Sequence, residues 1–205
     1  MPPARFWEFA HLSDDYKTMG WIDRVPRAGN LYIGGLHAIY SQPDLFTKAG
    51  ITHILTVLDY DIYQNGGADE SLKAYKHLMV QVDDDPNEEL LKHFPATGEF
   101  IKQALAGAGG VFVHCAMGKS RSATVVCAYL METYGVTPEE ALKQVCEGRP
   151  VCGPNLGFME QLDVWGRMLS ARGGEERDRI YARWREGRFR GDWWEWEKRG
   201  RGMKL

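Results

Sequence analysis

The chain has 205 residues, 44% of them hydrophobic, and a formal net charge of -3. That is enough for one well-buried domain plus an appendage, with a composition ordinary for a globular protein. No apolar run approaches bilayer length, the start Met1-Pro2-Pro3-Ala4-Arg5 has no apolar secretory core, and Cys115, Cys127, Cys146 and Cys152 lack paired CxxC spacing. These features count against a membrane protein, a secreted disulfide framework and a zinc ribbon, and place the protein in the cytoplasm or nucleus. The charge is uneven: Arg172 to Leu205 carries 11 Lys/Arg against 7 Asp/Glu, so this tail is +4 and the rest is -7. The tail suits an acidic partner; the body alone does not attract nucleic acid.

Residues 1–24 show weak periodicity around Phe6, Trp7 and Phe9 and read as an N-terminal extension. Leu31-Tyr32-Ile33 is a short strand stopped by Gly34-Gly35. Ser41-Gln42-Pro43-Asp44 has the form of a capping box and opens a helix that ends at Gly50. Residues 51–58 and 78–82 are β-branched, apolar strands, the second running into Asp83-Asp84-Asp85-Pro86. Helical spacing covers Asn87 to Ala106, where Pro95 predicts a kink or a split.

Val111-Phe112-Val113 is a buried strand and residues 123–131 a buried helix. Thr137-Pro138-Glu139-Glu140 caps a helix that ends at Gly148-Arg149-Pro150, and Asn155 opens another running to Leu169. Strands interleaved with helices predict an α/β fold: a central, mostly parallel twisted sheet flanked by helices on both faces. Residues 25–171 form this domain. Residues 172–205 form a basic, Trp-rich helical extension holding four of the seven tryptophans. Those aromatics either lie on the domain or present a docking surface.

Between the buried strand and the buried helix lies His114-Cys115-Ala116-Met117-Gly118-Lys119-Ser120-Arg121-Ser122. A strand that turns through such a loop into a helix N-terminus aims backbone N–H groups and a partial positive charge at one point, which is an oxyanion site. An ordinary thiol, with a pKa of about 8.5, is a poor nucleophile at neutral pH, and a helix N-terminus with a fixed cation favours its thiolate. Cys115 is therefore the expected nucleophile. Arg121 offers a planar fork for two phosphoryl oxygens, and the N–H groups of Ala116, Met117, Gly118, Lys119, Ser120 and Arg121 form the cradle. Gly118 allows a positive φ or a close approach. Ser122 is placed to hydrogen-bond the sulfur and His114 to orient the loop. Asn155 either braces the loop or caps the helix before Phe158.

The His-Cys-x-x-Gly-x-Ser-Arg-Ser run resembles the signature of the cysteine-dependent dual-specificity protein phosphatases. Leu31-Tyr32-Ile33-Gly34-Gly35, Gly50-Ile51-Thr52-His53-Ile54-Leu55 and Asn155-Leu156-Gly157-Phe158-Met159-Glu160-Gln161-Leu162 look like other segments of the same family, so the resemblance covers Leu31 to Leu169. It is nearest to the atypical, Yvh1-type branch, whose members carry a C-terminal zinc-binding domain and take part in large-ribosomal-subunit assembly. No cysteine follows Cys152, so only the catalytic domain is expected here.

The resemblance implies hydrolysis of phosphotyrosine and phosphoserine or phosphothreonine through a phosphocysteine, with no metal or cofactor. It also implies phosphoprotein substrates, a protein or ribosomal partner at the C-terminal extension, and no membrane. An acid must protonate the leaving oxygen. Chemistry alone leaves Asp83, Asp84 and Asp85 open, although Asp85-Pro86-Asn87-Glu88 has the capping form. The family places the acid two residues after a strand valine and ten before a helical phenylalanine. Val82 and Phe94 put that on Asp84, with Asp83 second. Two rival readings are a phosphoinositide phosphatase, suggested by Lys119 but not by Ala116, and a docking or assembly factor that acts through its tail.

Overall fold

The computed structural model describes residues 22–41, 43–62 and 70–202. Five strands, Ile22–Arg24 (β1), Leu31–Gly35 (β2), Ile51–Val57 (β3), Lys76–Val80 (β4) and Gly110–Cys115 (β5), form one sheet in the order β1-β2-β5-β3-β4. β1 pairs antiparallel with β2, and every other pairing is parallel. The apolar run of β5 puts it at the centre, buried at all six positions, because a parallel strand covered on both faces has no solvent side. Its alternation divides the core. Val111 and Val113 face the larger cluster, and Phe112 faces the smaller one, where it meets Phe46 edge-on at 5.0 Å.

Two short helices, His37–Ser41 (α1) and Pro43–Lys48 (α2), bring Ala38, Ile39 and Phe46 to the smaller cluster. Phe94–Ala106 (α3), Arg121–Tyr134 (α4), Pro138–Gly148 (α5) and Leu156–Leu169 (α6) supply the larger one. α4 lies between the sheet and these neighbours and is buried at every position from Arg121 to Met131, as a helix apolar all round must be. It stops at Gly135, whose φ of +67° suits a left-handed C-terminal position. The capping box of α5 forms in full, with Thr137 and Glu140 each bonding the other's backbone N–H.

Several boundaries differ from the sequence reading. β2 continues through Gly34-Gly35, and β4 spans residues 76–80, two residues earlier than expected. The helix expected from Asn87 starts at Phe94, after a 3-10 turn at Leu91–His93. Pro95 sits in its first turn, where no N–H is needed, so the segment splits without kinking. Asp85 caps no helix; its carboxylate takes the Asn87 N–H at 2.7 Å in a local turn. The last three residues of the expected N-terminal extension are β1, in the sheet; residues 1–21 lie outside the described residues. The side chains of the capping box at 41–43 are also outside them, although the helix does begin at Pro43.

The C-terminal extension forms Gly174–Gly187 (α7) and Trp193–Gly202 (α8), both packed on α6. The four aromatics divide by exposure. Trp184 packs against the main core and Trp196 is 4% exposed, whereas Trp193 and Trp194 are 69% and 52% exposed.

Candidate active site

The site is built where β5 ends and α4 begins. In a planar trans peptide the C=O of one residue and the N–H of the next point in opposite directions, so a loop's inward donors depend on what holds its carbonyls outward. Here each carbonyl has a holder. Leu36 N–H donates to Cys115 O at 2.8 Å and Ala116 O at 3.1 Å. Arg149 donates from Nη2 to Met117 O at 3.0 Å and from Nε to Gly118 O at 2.8 Å. Gly153 N–H donates to Lys119 O at 2.9 Å. Ser120 O accepts from the Thr124 N–H at 2.9 Å and hydroxyl at 2.8 Å. Among the described residues none of the N–H groups of residues 116–120 donates to the protein, which leaves them to face one point at the head of α4.

Gly118 makes this curvature feasible. Its φ is +66°, and a Cβ there would lie 2.3 Å from the carbonyl of Gly34. A Cβ at Gly35 would in turn crowd the Ala116 carbonyl at 3.1 Å. Of the two β2 glycines read from sequence as a strand stop, Gly35 thus gives clearance for the loop.

Cys115 is 1% exposed, with Sγ 3.3 Å from the Ser122 hydroxyl. Arg121 begins α4 and is 6% exposed. Its Nη1 donates to Val82 O at 3.1 Å and lies 3.5 Å from Asp59 Oδ1, while its buried Nε has no partner in the protein. A buried guanidinium N–H left unpaired is costly unless a ligand completes it, and an oxyanion above Cys115 is the group that fits. Lys119 is exposed on the rim.

His114 is fully buried, and its Nε2 pairs with Thr56 Oγ1 at 2.7 Å. Its Nδ1 faces the Cys115 backbone without an aligned hydrogen bond. Burial, opposed in part by that backbone, pulls its pKa from 6.5 to about 3, so the ring orients the loop as a neutral group.

Asp84 meets the loop's far end. Its Oδ1 accepts the Ser120 hydroxyl at 2.6 Å and Asn155 Nδ2 at 3.0 Å. Ser120 thus caps nothing, although it precedes α4; it also accepts the Asn155 N–H at 3.1 Å. Asn155 fulfils both of its expected uses, since its Oδ1 takes the Phe158 N–H at 2.9 Å and caps α6. Asp83 turns inward to the Asp84 N–H at 2.6 Å, and Asp85 is engaged with Asn87. Of the three aspartates, Asp84 is the one bonded to the loop.

The sequence reading missed Arg149, Asp59 and Thr56. Arg149 is 3% exposed and also pairs with Asp23 at 2.5 Å, so one side chain ties β1 to two loop carbonyls. The adjacent Gly148 lets α5 end against β1, since a Cβ there would lie 2.4 Å from Arg24 O.

This arrangement, a mostly parallel sheet that brings a thiol into one loop with an arginine at the head of the next helix, has the form of a cysteine-dependent phosphatase domain. The family model for the dual specificity phosphatase catalytic domain matches residues 31–168, and the chain belongs to that family. Among its relatives are the serine/threonine/tyrosine-interacting protein A of Xenopus laevis and the tyrosine-protein phosphatase YVH1 of Saccharomyces cerevisiae. The first is 34% identical over 66% of this chain and 60% of its own length. The second is 33% identical over 68% of this chain and 42% of its own length. The chain thus spans less than two thirds of either relative. The Yvh1 phosphatase domain of Chaetomium thermophilum superposes with a TM-score of 0.65 at 35% identity, covering 75% of this chain and 99% of that one.

Proposed function

We propose that the protein is a phosphatase of phosphoproteins, acting on phosphotyrosine and on phosphoserine or phosphothreonine through a phosphocysteine. The observation that carries this is the buried pair of Cys115 and Arg121 on one loop, with the guanidinium's Nε unpartnered and the loop's N–H groups turned inward. In the first step Cys115 Sγ attacks phosphorus, and the bond to the leaving oxygen breaks as Asp84 donates a proton to it. Arg121 and the amides of residues 116–121 hold the three equatorial oxygens while charge redistributes. Ser122, 3.3 Å from the sulfur, eases its later departure. In the second step Asp84 takes a proton from water, whose oxygen attacks phosphorus and releases the thiolate and phosphate. His114 and Asn155 hold the loop and the acid in place.

Protein substrates also agree with the family's name and with relatives whose names include dual specificity and tyrosine-protein phosphatases. The four free cysteines suit a reducing compartment, cytoplasm or nucleus. The exposed Trp193 and Trp194 support a protein or ribosomal partner at the extension. The deciding experiment is Cys115→Ser: hydrolysis of an aryl phosphate is lost while tungstate still binds. Unchanged hydrolysis by that variant refutes the reading. Release of phosphate from phosphopeptides in preference to inositol phosphates checks the substrate class.

A further inference from the structure

We infer that the C-terminal helices α7 and α8 position the acid loop against the phosphate loop, so that the extension takes part in proton delivery to the leaving group. This rests on the phosphatase reading above. The extension lies outside residues 31–168 that the family model matches, yet it makes specific bonds to the segment carrying Asp84.

That segment, residues 81–90, has no regular secondary structure and is gripped from two sides. On one side is α6. Gln161 Oε1 accepts the N–H groups of Leu90 and Leu91 at 2.7 and 2.8 Å, and its Nε2 donates to Glu88 O at 2.8 Å. Gly157 fits the chain closely, for a Cβ there would lie 1.9 Å from Pro86 O.

The extension grips the other side through Asn87 and Glu89. Asn87 Oδ1 accepts the Gly191 N–H at 2.9 Å and Trp196 Nε1–H at 3.1 Å, and Nδ2 donates to Gly191 O at 2.9 Å. Among the described residues, all of the bonds made by this carboxamide go to the extension. Glu89, 9% exposed, accepts the Tyr181 hydroxyl and lies 3.8 Å from Arg185 Nε and 3.9 Å from Arg188 Nη1. Arg188 in turn stacks over Trp184 at 5.5 Å. The connection to the acid is short: the Asn87 N–H holds Asp85, whose neighbour Asp84 reaches Ser120 on the phosphate loop. Asn87 and Tyr181 are therefore positioning residues; neither touches the reacting atoms. Without them the loop keeps its α6 contacts but loses the bonds that set its height over the pocket.

The test uses the full chain with Asn87→Ala and, separately, Tyr181→Phe, which keeps the ring's packing. Two substrates are compared: phenyl phosphate, whose leaving group needs a proton, and 2,4-dinitrophenyl phosphate, whose leaving group departs unaided. Misplacing a general acid that is worth a hundredfold or more lowers kcat/KM for phenyl phosphate about tenfold and for the dinitrophenyl ester less than about twofold. Tyr181→Phe shows the same asymmetry to a smaller degree, which settles the matter if Asn87→Ala fails to fold. Equal losses on both esters, or none on either, overturn the inference and leave the phosphatase reading intact. A wild-type chain inactive on both esters, or a Cys115→Ser chain as active as wild type, brings down that reading and this inference with it.

Discussion

The phosphate loop and the acid loop meet where Ser120 bonds Asp84, and they are held in opposite ways. The phosphate loop joins β5 to α4, with Gly118 and Ser120 buried and Ala116 and Lys119 exposed, and its carbonyls from Cys115 to Ser120 are each fixed by a donor, from Leu36, Arg149, Gly153 or Thr124. The acid loop lies at the surface, with Asp83, Asp84 and Asp85 exposed, and hangs from a few side chains of α6 and the extension. The difference suits the two tasks proposed for them. Stabilising a transferring phosphoryl group works best with donors that need no reorganisation. Delivering a proton and later taking one back needs a carboxylate that meets both the leaving oxygen and water.

The contrast is broken most forcefully from outside the pocket. Arg149→Met keeps the side-chain volume but strips Met117 O and Gly118 O of their donor and removes the guanidinium from Asp23. Removing one partner of a buried ion pair costs about 3–5 kcal/mol, so a large fall in denaturation midpoint is expected, with loss of oxyanion binding. On the other loop, Asp84→Asn is expected to lower turnover of phenyl phosphate about a hundredfold, a typical general-acid effect, and to leave the fold intact. Asp83→Asn is expected to cost less, since Asp83 bonds only its own loop; the opposite order transfers the acid's role to it.

Much of the phosphate loop was legible in the sequence because its parts are covalent neighbours. Cys115, Gly118, Arg121 and Ser122 occupy one strand–loop–helix unit, whereas only the family resemblance singled out Asp84 among three aspartates. Asn155 was visible as a helix start or a brace for the loop, whereas its bond to Asp84 was not anticipated. What holds these pieces in place was hidden, because it depends on long-range packing. Nothing near Arg149 signals Asp23 or the loop, 126 and about 31 positions away in the chain. Gly34-Gly35 looked like a strand end because glycine weakens a strand, whereas Gly35 leaves space for the carbonyls of Ala116 and Met117. The helical spacing from Asn87 to Phe94 misled for a related reason: Leu90 and Leu91 are buried from a loop, where Gln161 satisfies their N–H groups in place of a helix.

Acidity offers a finer test of the buried loop. His114 binds no proton in the folded chain until about pH 3 but binds one near 6.5 when unfolded. The unfolded state therefore holds more protons between those values, and stability falls as pH drops from about 6.5 to 3. The slope from this one residue approaches about 1.4 kcal/mol per pH unit, and His114→Gln is expected to flatten the wild-type curve by that amount over the same window. The smallest effect expected is at the exposed end of the extension. Trp193→Ala changes stability by less than about 0.5 kcal/mol, measurable by denaturant titration, because a side chain 69% exposed contributes little to packing.

A pocket whose backbone only gives and never receives is blind to ammonium groups and to neutral donors, and it welcomes any tetrahedral anion. Under the proposed function, vanadate, arsenate and inorganic phosphate in the buffer are expected to compete for the same seat. Storage in phosphate should shield the sulfur from peroxide, and an assay run in that same buffer should understate the enzyme's speed.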